Sequence, residues 1–312
     1  MRRERGVALL AAIVIFAIAA AIAVGIQFRS ALALRRAAGN ASLDQAFQAQ
    51  AGAEAVAAWF LADDTNQTDD FTEKWHLPQG PVELVDGVSI AGQITDLDGR
   101  FNLNSLIDDQ GAKDPVAVEI FRRLLRTLDI PEQKADLVVD YIDSDQQTEP
   151  NGAEDSFYTS QQPSNRPPNR PMLQVSELLA VPQIGLETYL RLLPHVTALP
   201  RDRREINLCT ASGVLLDALV DQRLWSANAS TLESQRKSGC YPNVLQFEQL
   251  FSANPAEYQK IKNRVKVQSN FFELRSLVTI GTQPFDLQSL LMRTTGATGK
   301  PEVRVLTRTM AE

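Results

Sequence analysis

Between Lys134 and Arg166 the chain carries seven carboxylates and no positive side chain: Asp136, Asp140, Asp143, Asp145, Glu149, Glu154 and Asp155. Like charges this dense either stand apart in water or gather round a cation. The spacing offers a cation a place. Asp140 and Asp143 fall three apart, on one face of a helix. Asp145 follows on a turning segment with Asn151-Gly152, and Glu154 and Asp155 return towards it. Hard oxygen donors in a flexible loop suit Ca2+, which takes roughly six to eight of them. No His or Cys lies among them, which argues against zinc. The D-x-D-x-D-G pattern with a terminal Glu is absent, so the loop is not an EF-hand. On spacing alone, a solvated acidic loop stands as the alternative.

Other chemistry is sparse. The two histidines, His76 and His195, lie in unrelated settings, and no G-x-S-x-G, P-loop or H-E-x-x-H pattern occurs. The expectation is that the protein is not an enzyme. The segments LLAVPQIGLETYLRLL and REINLCTASGVLLDAL have the form of helix-hairpin-helix turns, which elsewhere grip nucleic-acid phosphates. Here they carry little positive charge in a chain of net charge -7, so a packing scaffold is expected and no nucleic acid.

The N-terminus is the most specific feature. MRRERG, with three arginines, abuts an apolar run from Val7 to Phe28 that holds no charge. Its 22 residues match the roughly 20 that cross a bilayer as helix. A cleaved secretory signal is the competing reading, with Ala31-Leu32-Ala33 as its cleavage site, although its apolar region is normally shorter. Arg2, Arg3 and Arg5 are expected to stay cytoplasmic, placing everything after Phe28 outside. Such a compartment is oxidising. There Cys209 and Cys240, the two cysteines, are expected to form a disulfide; two unrelated thiols are the other reading. The closed loop of 31 residues is worth roughly 3.5 kcal/mol on a chain-entropy basis.

The elements that position these residues follow from periodicity. Good helix formers continue past the membrane run, with Leu43, Phe47, Ala51, Ala55 and Ala58 on one face; Gly39 and Asn40 mark a potential kink. Val82, Leu84, Val88, Ile90 and Ile94 alternate as half-buried strands about an Asp86-Gly87 hairpin turn. NFFELRSLVTI and EVRVLTRTM are two more strands, giving four segments for one antiparallel sheet. Residues 114 to 262 read as helices, with Val118, Phe121, Leu124, Leu125 and Leu128 as one apolar stripe and Ser176 as an N-cap.

A basic leader ending in Gly6 directly before an apolar run resembles the signal of type IV pilins and pseudopilins. The stretches DLDGRFNLNSL, ADLVVDYIDSD, PNGAEDSFY, NRPMLQVSELL and HVTALPRDRREINLCTAS are similar, in this order, to segments of the K-type minor pseudopilins of type II secretion systems. On these residues the chain is identified as a member of the general secretion pathway protein K family. The resemblance implies an α+β fold: a long N-terminal helix on a small antiparallel sheet of pilin type, with a large inserted all-α domain. It implies a leader at 1–6, a transmembrane part at 7–28, a head at 29–111 and 263–312, and the insert at 112–262. It further implies that prepilin peptidase cuts between Gly6 and Val7 and that the new amine of Val7 is methylated. Ala11 stands where most pilins carry the glutamate that pairs with a neighbouring subunit. Calcium would be held by Asp140, Asp143, Asp145, Glu154 and Asp155. The implied partners are the I- and J-type minor pseudopilins, the inner-membrane secretion platform and exoprotein substrates. The implied place is the inner membrane, with the bulk periplasmic and the protein at the pseudopilus tip after assembly. Cys209 departs from the Asn expected there in many members.

Overall fold

Helix α1 (Arg3–Asp63) is one element of 61 residues in a computed structural model that describes residues 3–64, 67–221, 229–296 and 299–310. It passes through Gly39 and Asn40 without a break. From Leu9 to Phe28 it is uncharged and exposed, and among the described residues this is the single helix long and apolar enough to cross a membrane. In the second half the buried apolar positions are mostly small: Ala46, Ala49 and Ala57, then Leu61. Small side chains let the helix lie close to a sheet.

That sheet has five antiparallel strands, β1 (Gln79–Val85), β2 (Val88–Asp96), and, after a long excursion, β7 (Phe271–Ile280), β8 (Gln283–Thr295) and β9 (Pro301–Met310), in the order β1-β2-β7-β8-β9. Asp86-Gly87 makes the expected hairpin turn, with Gly87 at a φ of 75° that favours glycine. β8 is the longest strand and was not among the four expected segments. Its alternation of Phe285, Leu287, Ser289 and Leu291 is interrupted to the eye by Asp286 and Gln288, which belong to the outer face. Val82 and Leu84, expected to be half-buried, are exposed, because β1 is an edge strand and α1 packs mainly on β7, β8 and β9.

One polar contact fixes α1 on the sheet. Glu54, buried beneath the helix, receives two bonds from Arg308 of β9 at 2.7 Å each and one from the Ser289 hydroxyl of β8 at 2.6 Å. Gln50, one turn earlier, donates to the same hydroxyl at 2.7 Å. A buried carboxylate is stable only when so satisfied, so the helix has one favoured register on the strands.

The insert leaves the sheet at the end of β2 and returns at the start of β7. Its helices are α2 (Pro115–Thr127), α3 (Lys134–Ile142), α4 (Asp155–Ser160), α5 (Gly185–Leu192), α6 (Gly213–Leu219), α7 (Ala229–Ser234), α8 (Val244–Gln249) and α9 (Pro255–Ile261). Two-residue parallel pairs, β3 (Phe101–Asn102) with β4 (Val196–Thr197) and β5 (Ile206–Asn207) with β6 (Val265–Lys266), stitch its ends. Asp114 caps α2 through bonds from the amides of Val116 and Ala117, and the stripe Val118, Phe121, Leu124 and Leu125 is fully covered. Ser176 does not act as an N-cap. It sits within a 3-10 helix, Val175–Ala180, that Gln174 and Glu177 cap reciprocally.

The insert's core begins earlier than residue 112. Phe101, Leu103, Leu106 and Ile107 pack into it, as does Val265 at the other end, so the boundaries expected at 111/112 and 262/263 fall inside one hydrophobic core. The DLDGRFNLNSL stretch explains why. Asn104 donates to the carbonyls of Met172 and Leu199 and accepts from the Met172 amide, while Asn102 donates to the carbonyls of Pro200 and Arg203. These buried amides tie the first turn of the insert to segments 68 to 101 residues later. At the neck, fully buried Asp96 accepts from Asn207, Thr210 and Ser269, and Asp98 holds Lys266 at 2.7 Å.

Candidate metal centre

Asp140 and Asp143 come from one short helix. The run of Ala135, Leu137, Val138, Tyr141 and Ile142 commits α3 to the core, and Asp140 is carried in with it. The helix stops at Ile142, so Asp143 is its C-cap rather than a residue of the same helical face. Glu154 is the N-cap of α4, yet its side chain makes no capping bond. The chain between them turns back so that oxygens of Asp140, Asp143 and Glu154 lie within 4.8 Å of one another, all three residues buried.

The other acidic residues of the stretch are placed differently. Asp136 pairs with Arg122 at 2.6 Å and accepts from Asn151, and Glu149 pairs with Lys113 at 2.6 Å, so both find cations from outside the stretch. Asp145 is exposed and accepts from the Gln147 amide, and Asp155 lies beside Arg166 at 3.7 Å. The structure therefore brings together three of the five expected ligands; Asp145 and Asp155 stand outside the cluster. Asp145 is still near enough for its charge to act on Asp143 and Glu154.

Three buried carboxylates without an arginine or lysine pair among the described residues form an uncompensated charge. Burial, and then the mutual field of the acids, pushes Asp143 and Glu154 each up to about 7; burial pushes Asp140 up to about 6 against the bonds it accepts from backbone amides. Oδ1 of Asp143 and both carboxylate oxygens of Glu154 are buried without a hydrogen-bond donor, as is the Tyr158 hydroxyl beside them. Such orphaned oxygens are costly unless something positive meets them. The donor set fits a hard divalent ion, with the Glu149 amide at 3.2 Å from Asp140 already occupying part of that carboxylate.

Gly152 packs against this cluster more tightly than spacing revealed. A Cβ built there would overlap the Asp140 carboxylate, so any side chain at that position displaces the carboxylate from the cluster.

Elsewhere Cys209 and Cys240 are bonded, with Cα atoms 4.5 Å apart. The buried Arg236 guanidinium spans the same two segments through the carbonyls of Leu208, Ala211 and Tyr241. Gly6 and Val7 lie in α1, as does Ala11.

A long apolar-to-amphipathic helix on an antiparallel sheet, enlarged by a helical insert, defines an α+β protein of pilin type with a membrane-anchoring helix. The sequence profile described as "Type II secretion system (T2SS), protein K" matches residues 99–201. Type II secretion system protein K of Pseudomonas aeruginosa is 32% identical over the whole of this chain and 95% of its own length. That of Pectobacterium carotovorum is 31% identical, covering 93% of this chain and 92% of its own. Among solved structures, a chain of the GspK-GspI-GspJ complex from enterotoxigenic Escherichia coli superposes with a TM-score of 0.76 at 28% identity, covering 89% of this chain and 99% of that one. The chain belongs to the type II secretion system protein K family.

Proposed function

We propose that the protein caps the periplasmic pseudopilus of a type II secretion system, in a tip complex with the I- and J-type minor pseudopilins, and supports export of folded exoproteins across the outer membrane. The carrying observation is where the insert stands. Leu61 and Ala57, near the C-terminal end of α1, pack with Ile94 and Phe272, whereas Ala46 and Ala49 pack with Val88, Val278 and Leu287. The insert joins the sheet beside Ile94 and Phe272, at the pole remote from the apolar half of α1. A mass at that pole obstructs any subunit adding beyond it. Ala11 suits the same place, because a tip subunit needs no carboxylate for a neighbour above it.

In this reading the apolar half of α1 spans the inner membrane with the head in the periplasm. Prepilin peptidase cuts after Gly6, Val7 is methylated, and the secretion platform draws the helix into the filament. Calcium at Asp140, Asp143 and Glu154 is structural, closing the loop between α3 and α4. No catalytic role is assigned. His195 meets the Ser212 hydroxyl at 2.8 Å, but that hydroxyl accepts the Leu215 amide and caps α6. The test is Gly6→Ala in the native host: loss of the processed form and of exoprotein secretion is expected, and persistence of both refutes the assignment.

A further inference from the structure

Just past its apolar run, α1 carries a basic stem. Residues 29–43 include Arg29, Arg35 and Arg36 and no acid; the first carboxylate after the run is Asp44. Every residue from 29 to 41 is exposed, because the sheet first buries the helix at Ala46. The three arginines form no ion pair and no side-chain hydrogen bond with any described residue.

Two geometrical observations point to what meets them. The first is height. At about 1.5 Å per residue, Arg29 stands directly beyond Phe28, and Arg35 and Arg36 stand roughly 10–12 Å beyond it. The polar layer of a bilayer is about 5–8 Å deep on each side of the hydrocarbon core. Helical side chains lean towards the N-terminus, here towards the membrane, and a long arginine carries its charge back along the helix to the polar layer. All three guanidinium groups therefore reach phosphate level when the apolar run fills the core. The second is direction. At about 100° per residue, the three arginines lie within an arc of about 120°, on the side of α1 that further along turns Ala46, Gln50 and Ala57 to the sheet. The opposite side of the stem is uncharged, with Ser30, Leu34, Ala37 and Ala41. The cations thus face the strip of membrane surface beneath the head.

We propose that Arg29, Arg35 and Arg36 form a binding site for the phosphate groups of anionic phospholipids in the leaflet nearest the head, and that this site sets how far α1 stands out of the membrane. The proposal rests on the reading of the apolar run as membrane-spanning. Arginine suits the task, because its planar fork stays charged and matches two phosphate oxygens at once. Cutting after Gly6 removes Arg2, Arg3 and Arg5, which leaves these three as the basic residues flanking the span. Each basic residue at an anionic surface strengthens association roughly fivefold, so three give roughly a hundredfold preference over a zwitterionic headgroup.

The full chain is reconstituted in vesicles of equal parts phosphatidylglycerol and phosphatidylcholine, and flotation on a density gradient shows whether it inserts. Native mass spectrometry of the chain released in mild detergent then counts the phospholipids it keeps. The wild type is expected to keep phosphatidylglycerol over phosphatidylcholine by about tenfold or more, and to lose that preference when about 0.5 M salt is present during release. The triple variant Arg29→Gln, Arg35→Gln, Arg36→Gln is expected to keep both lipids alike. A matched variant, Lys74→Gln, Lys262→Gln, Lys300→Gln, takes three charges from exposed positions of the head and insert and is expected to behave as the wild type. All six residues are exposed, so neither variant disturbs the core. An arginine variant that keeps phosphatidylglycerol as the wild type does, or a wild type that keeps both lipids alike, overturns the proposal. A chain that does not float with the vesicles overturns the membrane-spanning reading and this proposal with it, whereas one that floats without the preference overturns this proposal alone.

Discussion

Replacing Asp143 with Asn should change stability in opposite directions with and without calcium. Without the ion, ionised Asp143 is a buried charge among like charges. Its proton affinity moves from the ordinary 3.8 to about 7, first through burial and then through Asp145, Glu154 and Asp140. At about 1.4 kcal/mol for each tenfold change in proton affinity, the ceiling on the penalty is about 4 kcal/mol. Asp140 and Glu154 share the proton load, so about 2 kcal/mol is expected at neutral pH and above. The folded carboxyl binds its proton more tightly than the unfolded one. The penalty is therefore absent below about pH 4, grows as pH rises, and is complete above about pH 7. Asn removes it, so in EDTA at pH 8 the variant should be more stable than the wild type by about 2 kcal/mol, and at pH 4 the two should coincide. With calcium at about 100 times its dissociation constant, the wild type gains about 2.7 kcal/mol that the variant forgoes, and the order reverses. Urea unfolding of the full chain in micelles, followed by circular dichroism at both pH values, reads all four arms. A variant less stable than the wild type in EDTA at pH 8 would refute the claim that Asp143 is an uncompensated charge awaiting an ion.

Two further outcomes test the same structure. Gly152→Ala should abolish calcium stabilisation, because the added methyl occupies the space of the Asp140 carboxylate; a calcium-induced rise in melting temperature equal to that of the wild type would show that the loop can open to admit it. Cys209→Ser should cost roughly 2–4 kcal/mol in non-reducing unfolding, and wild type treated with dithiothreitol should fall to the same midpoint; no difference between reduced and oxidised wild type would count against the bridge.

Much of the architecture was legible because burial imposes a period. The charge-free run after Gly6, the alternation around Asp86-Gly87 and the stripe from Val118 to Leu125 each declare one buried face. β8 escaped because Asp286 and Gln288 face outwards among its apolar partners and Pro284 stands at its start. The acidic loop was legible as an excess of charge but not as a shape. Spacing cannot say that Asp136 and Glu149 find Arg122 and Lys113, that Asp155 lies beside Arg166, or that α3 ends at Ile142. Nor does spacing show that Asp64 and Asp69 meet at Arg293, more than two hundred residues further along the chain.

Helix α1, at 61 residues, is a shaft roughly 90 Å long with no joint. Glu54 keys it to the strands, so head and shaft cannot slide past each other without exposing a carboxylate to an apolar seam. In the proposed role, thrust on the apolar part of α1 is carried along one continuous helix towards the opposite pole, so a displacement of one residue's rise, about 1.5 Å, takes the insert with it. In the proposed tip role, a push on the apolar end reaches the insert through this helix and the strands that Glu54 keys to it, with no relay elsewhere in the head.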